Sequence, residues 1–304
     1  MYIYAMDSFI YMKPGVIAND GVQLFRDLGP SEFCKKFSRE LDGRILFHIP
    51  PYEYLFKTDL PKFIELGNSN EENPYHLFFY MLARFYFVDH GHNNIYYYYP
   101  NAKNCYISEA ALSALPARFH RSLTKSGEDT IREYVQLPGL HWGTNNINEI
   151  WIYAYVRDLF TPLWSPFIKE AKKYTYISRS KGQLGTRKIL NESEFTDDLK
   201  RLGFCIYNME DLTFEEQIRL FRTSSIITGA HGAGLAFLIF CEPGTKVLEI
   251  WKDEYENLHY KDISSRCNLD YNRFTEIEFY DLQDHSMRVK KNEYLDALKN
   301  LTNK

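Results

Sequence analysis

The stretch SSIITGAHGAGLAFLIFCEPGTKVLEI, residues 224–250, decides the fold that we predict for this chain. Its apolar run at 225–228 predicts a buried strand, the glycines that follow predict a turn, and AGLAFLIF at 233–240 predicts a short helix. A turn at Pro243-Gly244 then leads into a second strand, KVLEIW. Short apolar strands without alternating polar residues are typical of parallel sheets covered by helices. The stretch therefore predicts a doubly wound α/β unit.

The residues upstream repeat this alternation of strands and helices. Apolar runs at 173–178 (KYTYIS) and 204–207 (FCIY) predict two more strands. The spacing Asn-x-x-Glu that starts at Asn191 has capping-box form and predicts a helix that ends at Gly203. Thr213 opens a second capping box before FEEQIRLFRTS.

The first half of the chain shows a looser version of the same pattern. We expect strands at 43–49 (GRILFHI) and in the tyrosine run 95–100 (IYYYYP). Helices are expected at 74–91 and at 108–115. Two α/β lobes follow from this reading.

Prolines mark the predicted boundary between the lobes. A helix at 150–160 ends near Pro162 and Pro166, so we divide the chain into 1–165 and 166–304. A final amphipathic helix at 292–301 is expected to pack back on the first lobe.

Composition excludes several classes of protein. The 304 residues carry 36 Lys and Arg against 40 Asp and Glu, without the basic surface that nucleic-acid binding requires. The five cysteines lie far apart and form no CxxC pair, which indicates a reducing compartment and neither a disulfide framework nor a zinc site. A signal-peptide pattern and a long apolar stretch are both missing. We therefore expect a soluble, cytoplasmic protein with no nucleic-acid partner and no membrane span.

The glycine-rich turn is the first candidate for chemistry. Gly229, Gly232 and Gly234 let the backbone approach a ligand, and the N–H groups of the following helix favour an anion such as a diphosphate. His231 lies among them and can donate a hydrogen bond to a phosphate. The alternative is a tight connection in which glycine supplies a positive φ and His231 caps a backbone group.

A basic loop follows the strand at 173–178. Arg179 comes directly after that strand, and Lys181, Arg187 and Lys188 follow in the loop. These cations complement a diphosphate through charge-assisted hydrogen bonds. The alternative is a solvated loop, which we prefer for the two lysines.

One acid and several absent motifs narrow the chemistry further. Glu249 interrupts an apolar strand end, where it can accept hydrogen bonds from a ribose diol or remain a surface residue of a frayed strand. Asp-x-Asp is missing, and with it the carboxylate pair that holds Mg²⁺ or Mn²⁺ against a nucleotide diphosphate. The patterns GxGxxG, GxxxxGK[ST], GxSxG and HExxH are missing too, so a nicotinamide-dependent enzyme is excluded on glycine spacing. No metal site is predicted.

Several of these segments resemble one known family. YISR (176–179), RKILNE (187–192), the block 209–240 and PGTKVLEI (243–250) resemble the C-terminal half of glycosyltransferase family 61. NPYHLFFYMLARF (73–85) is similar to the N-terminal motif of that family. The family includes bacterial capsular-polysaccharide enzymes, plant xylosyl- and arabinosyltransferases and animal O-linked N-acetylglucosaminyltransferases. HGAGL is the most specific of the matched motifs.

The resemblance implies an inverting, metal-independent glycosyltransferase with two facing Rossmann-like lobes, the GT-B arrangement. The first lobe would then take the acceptor, and the second the nucleotide sugar. Together with the basic loop, the matched motifs give the candidate donor site: Arg179, Arg187, Asn191, His231, Gly232, Ala233, Gly234 and Glu249. Because eukaryotic members usually begin with a membrane anchor and none is seen here, a bacterial or viral type of enzyme is favoured.

The N-terminal motif supplies the candidate catalytic base, His76. A histidine suits that role because its ordinary pKa lies near neutral pH, although His76 could instead be a packed polar residue. Arg84 and Tyr80 are the candidate acceptor-side residues. Tyr80 departs from the family, because many members have an acid at that position. Asp89 and Glu72 are the fallback bases.

The leading hypothesis is transfer from a UDP-sugar, with UDP-xylose and UDP-N-acetylglucosamine tested first, to a hydroxyl of a glycan acceptor without any cofactor. The alternative is a catalytically inactive nucleotide- or glycan-binding module on the same fold. Tyr80 in place of an acid supports that alternative.

Overall fold

The computed structural model of the chain describes a set of segments and two compact units. The segments are residues 3–6, 9–12, 38–41, 44–48, 62–66, 73–87, 89, 94–99, 106–122, 133–135, 150–167, 173–181, 186–252 and 257–302. The units are Met1–Val156 and Arg157–Lys304. This division precedes the predicted boundary at about residue 165, because Phe160 packs with Phe214 and Phe240 of the second unit (ring centroids 5.1 and 6.1 Å apart).

The first unit contains an antiparallel sheet of four strands in the order β1-β2-β4-β3. Its strands are β1 (Ile3–Met6), β2 (Phe9–Met12), β3 (Ser38–Leu41) and β4 (Arg44–His48). The strand predicted at 43–49 is therefore present, but our expectation of a parallel lobe was wrong for it. Residues 42 and 43 alone separate β3 from β4, and so short a connection permits only antiparallel pairing.

A second sheet of this unit is parallel, with the order β7-β6-β5-β8. Its strands are β5 (Lys62–Glu65), β6 (Ile95–Tyr98), β7 (Phe119–Ser122) and β8 (Glu133–Val135). The tyrosine run is confirmed as β6, in which Ile95 and Tyr97 are buried and Tyr96 and Tyr98 are half-buried. Helix α2 (Tyr106–Ser113) lies between β6 and β7 in the chain.

The single helix that we expected at 74–91 is instead a series of three. Helix α1 (Pro74–His76) continues as a π-helix over Leu77–Met81 and as a 3-10 helix over Leu82–Phe87. Every described side chain from 77 to 83 is buried. A regular α-helix buries one stripe, so changes of pitch turn these successive bulky residues into the core.

The second unit is built on five parallel strands in the order β10-β9-β11-β12-β13. They are β9 (Lys173–Ser178), β10 (Phe204–Asn208), β11 (Ser224–Ala230), β12 (Lys246–Ile250) and β13 (Asp270–Phe274). The parallel sheet predicted from the apolar runs is thus confirmed. Sequence patterning missed β13, whose residues Asp-Tyr-Asn-Arg-Phe are mostly polar.

The helices from residue 150 onward follow one another in chain order, and the first of them begins in the first unit. They are α3 (Ile150–Leu159), α4 (Thr161–Trp164), α5 (Thr196–Arg201), α6 (Phe214–Arg222), α7 (His259–Arg266), α8 (Lys291–Thr302) and the 3-10 helix Ala233–Phe240. We expected α8 to pack on the first lobe, but its buried residues belong to the core of the second unit. Tyr294 shares a 2.9 Å hydrogen bond with Thr228 of β11 and packs against Phe195 before α5. On the 3-10 helix, Phe237 packs against Phe214 of α6.

Of the two helix caps that we predicted, one is confirmed and the other is wrong. Thr213 and Glu216 form the predicted capping box of α6. Asn191 makes no capping bond, and the residues after it form a 3-10 turn, Glu192–Glu194, before α5. Gly203 ends that helix region with φ 86°, as expected of a C-terminal glycine. In the described part of the chain, no helix combines the length and the apolar character needed to cross a membrane.

A hairpin completes the second unit. Its strands β14 (Ile277–Tyr280) and β15 (Met287–Val289) pair antiparallel. The segment 186–191 runs beside β15, with hydrogen bonds of 2.8 Å from the N–H of Met287 to the carbonyl of Lys188 and from the N–H of Leu190 to the carbonyl of Met287. The basic loop is therefore fastened to the hairpin.

Candidate functional site

The carboxyl ends of three neighbouring strands define the site. Strands β9, β11 and β12 end at Ser178, Ala230 and Ile250, and the next residues are Arg179, His231 and Trp251. Because the strands are parallel, these residues meet at one edge of the sheet, where open α/β sheets bind ligands.

His231 is buried and makes contacts through both its backbone and its ring. Its backbone N–H donates to the carbonyl of Ile250 (2.9 Å), and its ring lies against Trp251 and Tyr260 with centroids 4.6 and 4.9 Å away. Only 3% of the residue is exposed. Its Nδ1 forms a short hydrogen bond with Oε1 of Glu249. Among the described residues the ring bonds to this carboxylate and to no backbone group, which differs from the alternative in which His231 is a backbone cap.

Glu249 is buried completely and is already bonded at both oxygens. Oε2 accepts from the hydroxyl of Tyr271 and from Nε and Nη2 of Arg273 (3.1 and 2.8 Å). Neither oxygen is open to a ribose diol, so the structure corrects the predicted role of Glu249. Its side chain instead holds His231.

The surroundings of Glu249 and His231 determine the protonation states of these two side chains. Burial raises the pKa of Glu249, but the hydrogen bond and charge of His231, then Arg273, outweigh it, so the carboxyl pKa lies below its ordinary value. Burial lowers the pKa of His231 against the attraction of Glu249, and Arg187 and Arg273 act in the same direction as burial. The free protein therefore holds an ionised Glu249 beside a neutral His231 at neutral pH.

Arg179 is a half-buried cation without a carboxylate partner among the described residues. Its Nε and Nη2 donate to the carbonyl of Thr186 over 3.4 and 3.3 Å. Burial and then the positive charge of Arg187 lower its pKa. Such a cation is unfavourable by itself and favours an anion at the same place.

Gly232 explains how Arg179 reaches the turn. A Cβ atom on this glycine would lie 1.7 Å from Nη1 of Arg179, so the guanidinium occupies the space of a missing side chain. The φ of Gly232 is 173°, extended backbone that any residue adopts. Gly229 and Gly234 do not adopt left-handed φ values either, so the alternative in which glycine supplies a left-handed turn is wrong. Space, and not backbone angle, requires glycine at 232.

Arg187 is the second cation of the site. Its guanidinium carbon lies 5.8 Å from the ring centroid of Trp251, and its backbone, with φ 58°, donates to the carbonyl of Asp284 (2.8 Å). The hairpin also supplies Tyr280, whose ring packs edge-on against Trp251 at 6.0 Å. The hairpin thus positions Arg187 beside the turn.

Ala233 and Gly234 supply backbone donors. The first hydrogen bond of the 3-10 helix runs from the N–H of Leu235 to the carbonyl of Gly232 (2.9 Å), so the N–H groups of Ala233 and Gly234 precede the helical ladder. Both residues are half-buried. Two arginines and two backbone donors therefore surround His231, which suits an anionic ligand.

Asn191 does not belong to this group. Its amide donates to the carbonyl of Val289 (2.9 Å) and its Oδ1 accepts from the N–H of the same residue (3.1 Å). Both ends of the buried side chain are used, so the predicted donor contact is replaced by a bond between the basic loop and β15. Lys181 pairs with Asp211 at the surface (2.6 Å), in agreement with the solvated alternative for that lysine.

The candidate residues of the first unit are described only in part. His76 ends α1 and is buried, and the helix is capped by Asn73, whose Oδ1 accepts from the N–H of Tyr75 (2.9 Å). Tyr80 and Arg84 lie in the π-helix and the 3-10 helix, and their side chains are outside the described residues.

Of the two fallback bases, Glu72 and Asp89, only Asp89 is described. Glu72 lies outside the described residues. Asp89 is bound by Arg118 through two hydrogen bonds of 2.8 and 2.6 Å and by the hydroxyl of Tyr155 (2.8 Å), so both of its oxygens are already engaged.

Sequence reasoning missed the residues that surround Glu249 and His231. Arg273 lies directly opposite Glu249 in the pairing of β12 with β13, and Tyr271 lies two residues earlier on the same face. The alternation in DYNRF is a signal for such a strand, but its partner becomes known only with the register. Among the described residues, no group of three or more His, Cys, Asp or Glu side chains is arranged to hold a metal ion.

Several curated relatives match part of the chain, among them a plant and an animal enzyme. The β-1,2-xylosyltransferase RCN11 of Oryza sativa subsp. japonica is 42% identical over 60 residues, which is 20% of this chain and 11% of that protein. The EGF domain-specific O-linked N-acetylglucosamine transferase of Gallus gallus is 35% identical over 98 residues, 31% of this chain and 17% of that protein. Each match thus spans less than a fifth of the relative.

A solved structure and a family model also match this chain. The iron-containing dodecameric glycosyltransferase TibC from enterotoxigenic E. coli H10407 superposes with a TM-score of 0.37 at 16% identity, over 64% of this chain and 58% of that one. So loose a superposition carries no argument about the site. The model of the family Glycosyltransferase 61 matches residues 74–248, more than half of the chain and the whole of the HGAGL turn. This chain belongs to glycosyltransferase family 61.

Proposed function

We propose that the protein is an inverting, metal-independent glycosyltransferase that transfers a sugar from a UDP-sugar to a hydroxyl of a glycan acceptor. The observation that carries the proposal is the pair Arg179 and Arg187, two cations without carboxylate partners among the described residues, at the edge of the sheet beside His231. Family membership supports sugar transfer. Because the two relatives are named for the transfer of xylose and of N-acetylglucosamine, UDP-xylose and UDP-N-acetylglucosamine are the first donors to test.

The departing diphosphate sets the chemistry of this site. Inversion takes one displacement at the anomeric carbon, in which the acceptor oxygen forms a bond as the bond to the diphosphate breaks. The diphosphate then gains negative charge, which fixed donors stabilise without reorganisation. Arg179, Arg187 and the N–H groups of Ala233 and Gly234 would supply those donors, in the place that a metal ion takes in other enzymes.

The acceptor hydroxyl needs a base, and we assign that role to His76. Both oxygens of Asp89 are engaged by Arg118 and Tyr155, whereas an imidazole has an ordinary pKa near neutral pH, which suits a general base. The first unit would then be the acceptor-side lobe, and the two units would face each other in the GT-B arrangement.

Titration with UDP in the presence of EDTA tests the donor site. We expect saturable binding that EDTA leaves unchanged, and binding that disappears with EDTA would exclude a metal-independent site. A screen of UDP-sugars for hydrolysis identifies the donor. The anomeric configuration of the product, measured by NMR, tests inversion.

One feature favours a second candidate, a catalytically inactive binding module. Tyr80 stands where many members of the family have an acid. Such a module would bind UDP but release no sugar from any UDP-sugar, with or without acceptor. The two candidates are separated by the hydrolysis screen.

A further inference from the structure

Neutral His231 has only one possible tautomer. Its Nδ1 faces a carboxylate oxygen of Glu249, which accepts hydrogen bonds and donates none. The proton of neutral His231 therefore lies on Nδ1, and Nε2 carries a lone pair. Glu249 is itself fixed, because Tyr271 and Arg273 bind its second oxygen. The partners of Glu249 thus determine the protonation of the histidine beside the turn.

This tautomer does not suit an anionic ligand. Gly232, the next residue, touches the guanidinium of Arg179, and Arg187 lies over Trp251, which packs on the ring of His231. The neutral ring offers a phosphate attracted by these arginines no hydrogen-bond donor at Nε2, because that nitrogen carries a lone pair. With a second proton the ring becomes an imidazolium, which donates from Nε2 and remains bonded to Glu249 through Nδ1.

Charged and titratable groups surround His231, and the balance between their effects and that of burial keeps the ring neutral until an anion arrives. These groups come from every element packed against the ring: Arg179 after β9, Arg187 beside the hairpin, Glu249 on β12, Tyr271 and Arg273 on β13, and Tyr260 on α7. Burial, Arg187 and Arg273 together outweigh Glu249 and lower the pKa of His231. A bound diphosphate adds negative charge, which raises that pKa.

We propose that His231 takes up one proton from solvent when the diphosphate of the donor binds, and that Glu249 is the positioning residue for this uptake. The proton attaches to Nε2, no covalent bond of the donor changes, and Glu249 balances the new charge. This inference rests on the proposed function, because it needs a diphosphate in the site. Affinity is greatest below the pKa of free His231, and it falls as pH rises through the higher pKa of the complex.

Calorimetric titration with UDP in two buffers of different ionisation enthalpy measures the proton uptake. The variants are His231→Asn, which keeps a donor for Glu249 but has no titratable Nε2, and Glu249→Gln, which removes the balancing charge. Glu215→Gln, an exposed acid of α6, is the matched control. UDP exchanges protons of its own, and that contribution is common to all four proteins.

We expect the wild type and Glu215→Gln to take up as much as about one proton more per UDP than His231→Asn does. Glu249→Gln is expected to lose most of that uptake and to bind UDP about tenfold more weakly. The uptake of the wild type should vanish as pH rises well above neutral.

Two results overturn the inference in distinguishable ways. Equal proton uptake by the wild type and His231→Asn, with UDP bound to both, overturns the inference and leaves the proposed function standing. The absence of UDP binding to the wild type at any pH overturns both. If a variant fails to fold or to bind, the ring signals of His231 in NMR spectra of labelled wild-type protein decide, because they shift on protonation when UDP binds or they do not.

Discussion

Arg179 is the residue on which the donor site depends most directly. Its hydrogen bonds in the described part of the chain go to a single backbone carbonyl, and Arg187 repels it. Arg179→Ala is therefore expected to cost about 1.5–3 kcal/mol of UDP binding, the range of a charge-assisted hydrogen bond, and to change the melting temperature little. Calorimetry and thermal unfolding measure the two effects. Lys181→Ala, which breaks a surface ion pair with Asp211, is the control. Equal affinities in all three proteins would mean a merely solvated loop.

Gly232 permits the same contact from the other side. Gly232→Ala places a Cβ atom where Nη1 of Arg179 now lies, so the flexible guanidinium must move and the backbone need not. We expect weaker UDP binding by about 1.5–3 kcal/mol in a protein that still folds. In Gly234→Ala the new atom meets Cγ of Met209 at 3.0 Å, away from the arginines, so its loss of affinity should be smaller. If the two variants lose the same affinity, Arg179 is not the reason for glycine at 232.

At the scale of elements, the hairpin β14–β15 connects stability to binding. Asn191→Ala breaks two buried hydrogen bonds to Val289 and leaves their backbone partners unsatisfied, at a cost of about 1–3 kcal/mol of folding free energy. Because the same segment carries Arg187, UDP binding should weaken as well. Thr213→Ala removes the N-cap of α6, which should lower the free energy of unfolding by about 1 kcal/mol, and it serves as a stability control. Chemical denaturation measures the stability of the two variants, and calorimetry measures their affinity for UDP. Reduced UDP affinity in Thr213→Ala would show that lost stability alone explains the effect.

The elements that sequence patterning predicted are those with buried strands and local caps. Strands β9 to β12 are short apolar runs, and the capping box at Thr213 depends on residues three apart, so the sequence alone contains both signals. Strand β13 is polar because it holds Arg273 against Glu249, and a pattern of apolar residues cannot detect it. The site was predictable to the same extent. Arg179 and His231 follow strand ends, whereas the true partners of Glu249 and Asn191 lie far away in sequence and depend on pairing.

The whole molecule contains two units, and the proposed chemistry divides between them. Arg179, Arg187 and His231 belong to the second unit, and His76 belongs to the first. The sequence predicted a parallel sheet in each, but it gave no sign that β4 would join an antiparallel sheet. That outcome depends on the short connection to β3. A division of labour between units can be tested by asking whether loss of His76 separates catalysis from donor binding.

The variant His76→Ala should separate catalysis from donor binding. If His76 accepts the proton of the attacking hydroxyl, its loss should slow transfer, or hydrolysis of the UDP-sugar, by about 10²-fold or more. The affinity for UDP should remain, because the diphosphate site lies in the second unit. His76 is buried, so Ala can also destabilise the first unit. His76→Gln preserves most of the volume without a base of suitable pKa, and thermal unfolding of both variants measures that destabilisation. Turnover in His76→Gln close to the wild-type value would assign the proton to another group, and loss of UDP affinity in both variants would mean that His76 supports the fold and is not the base.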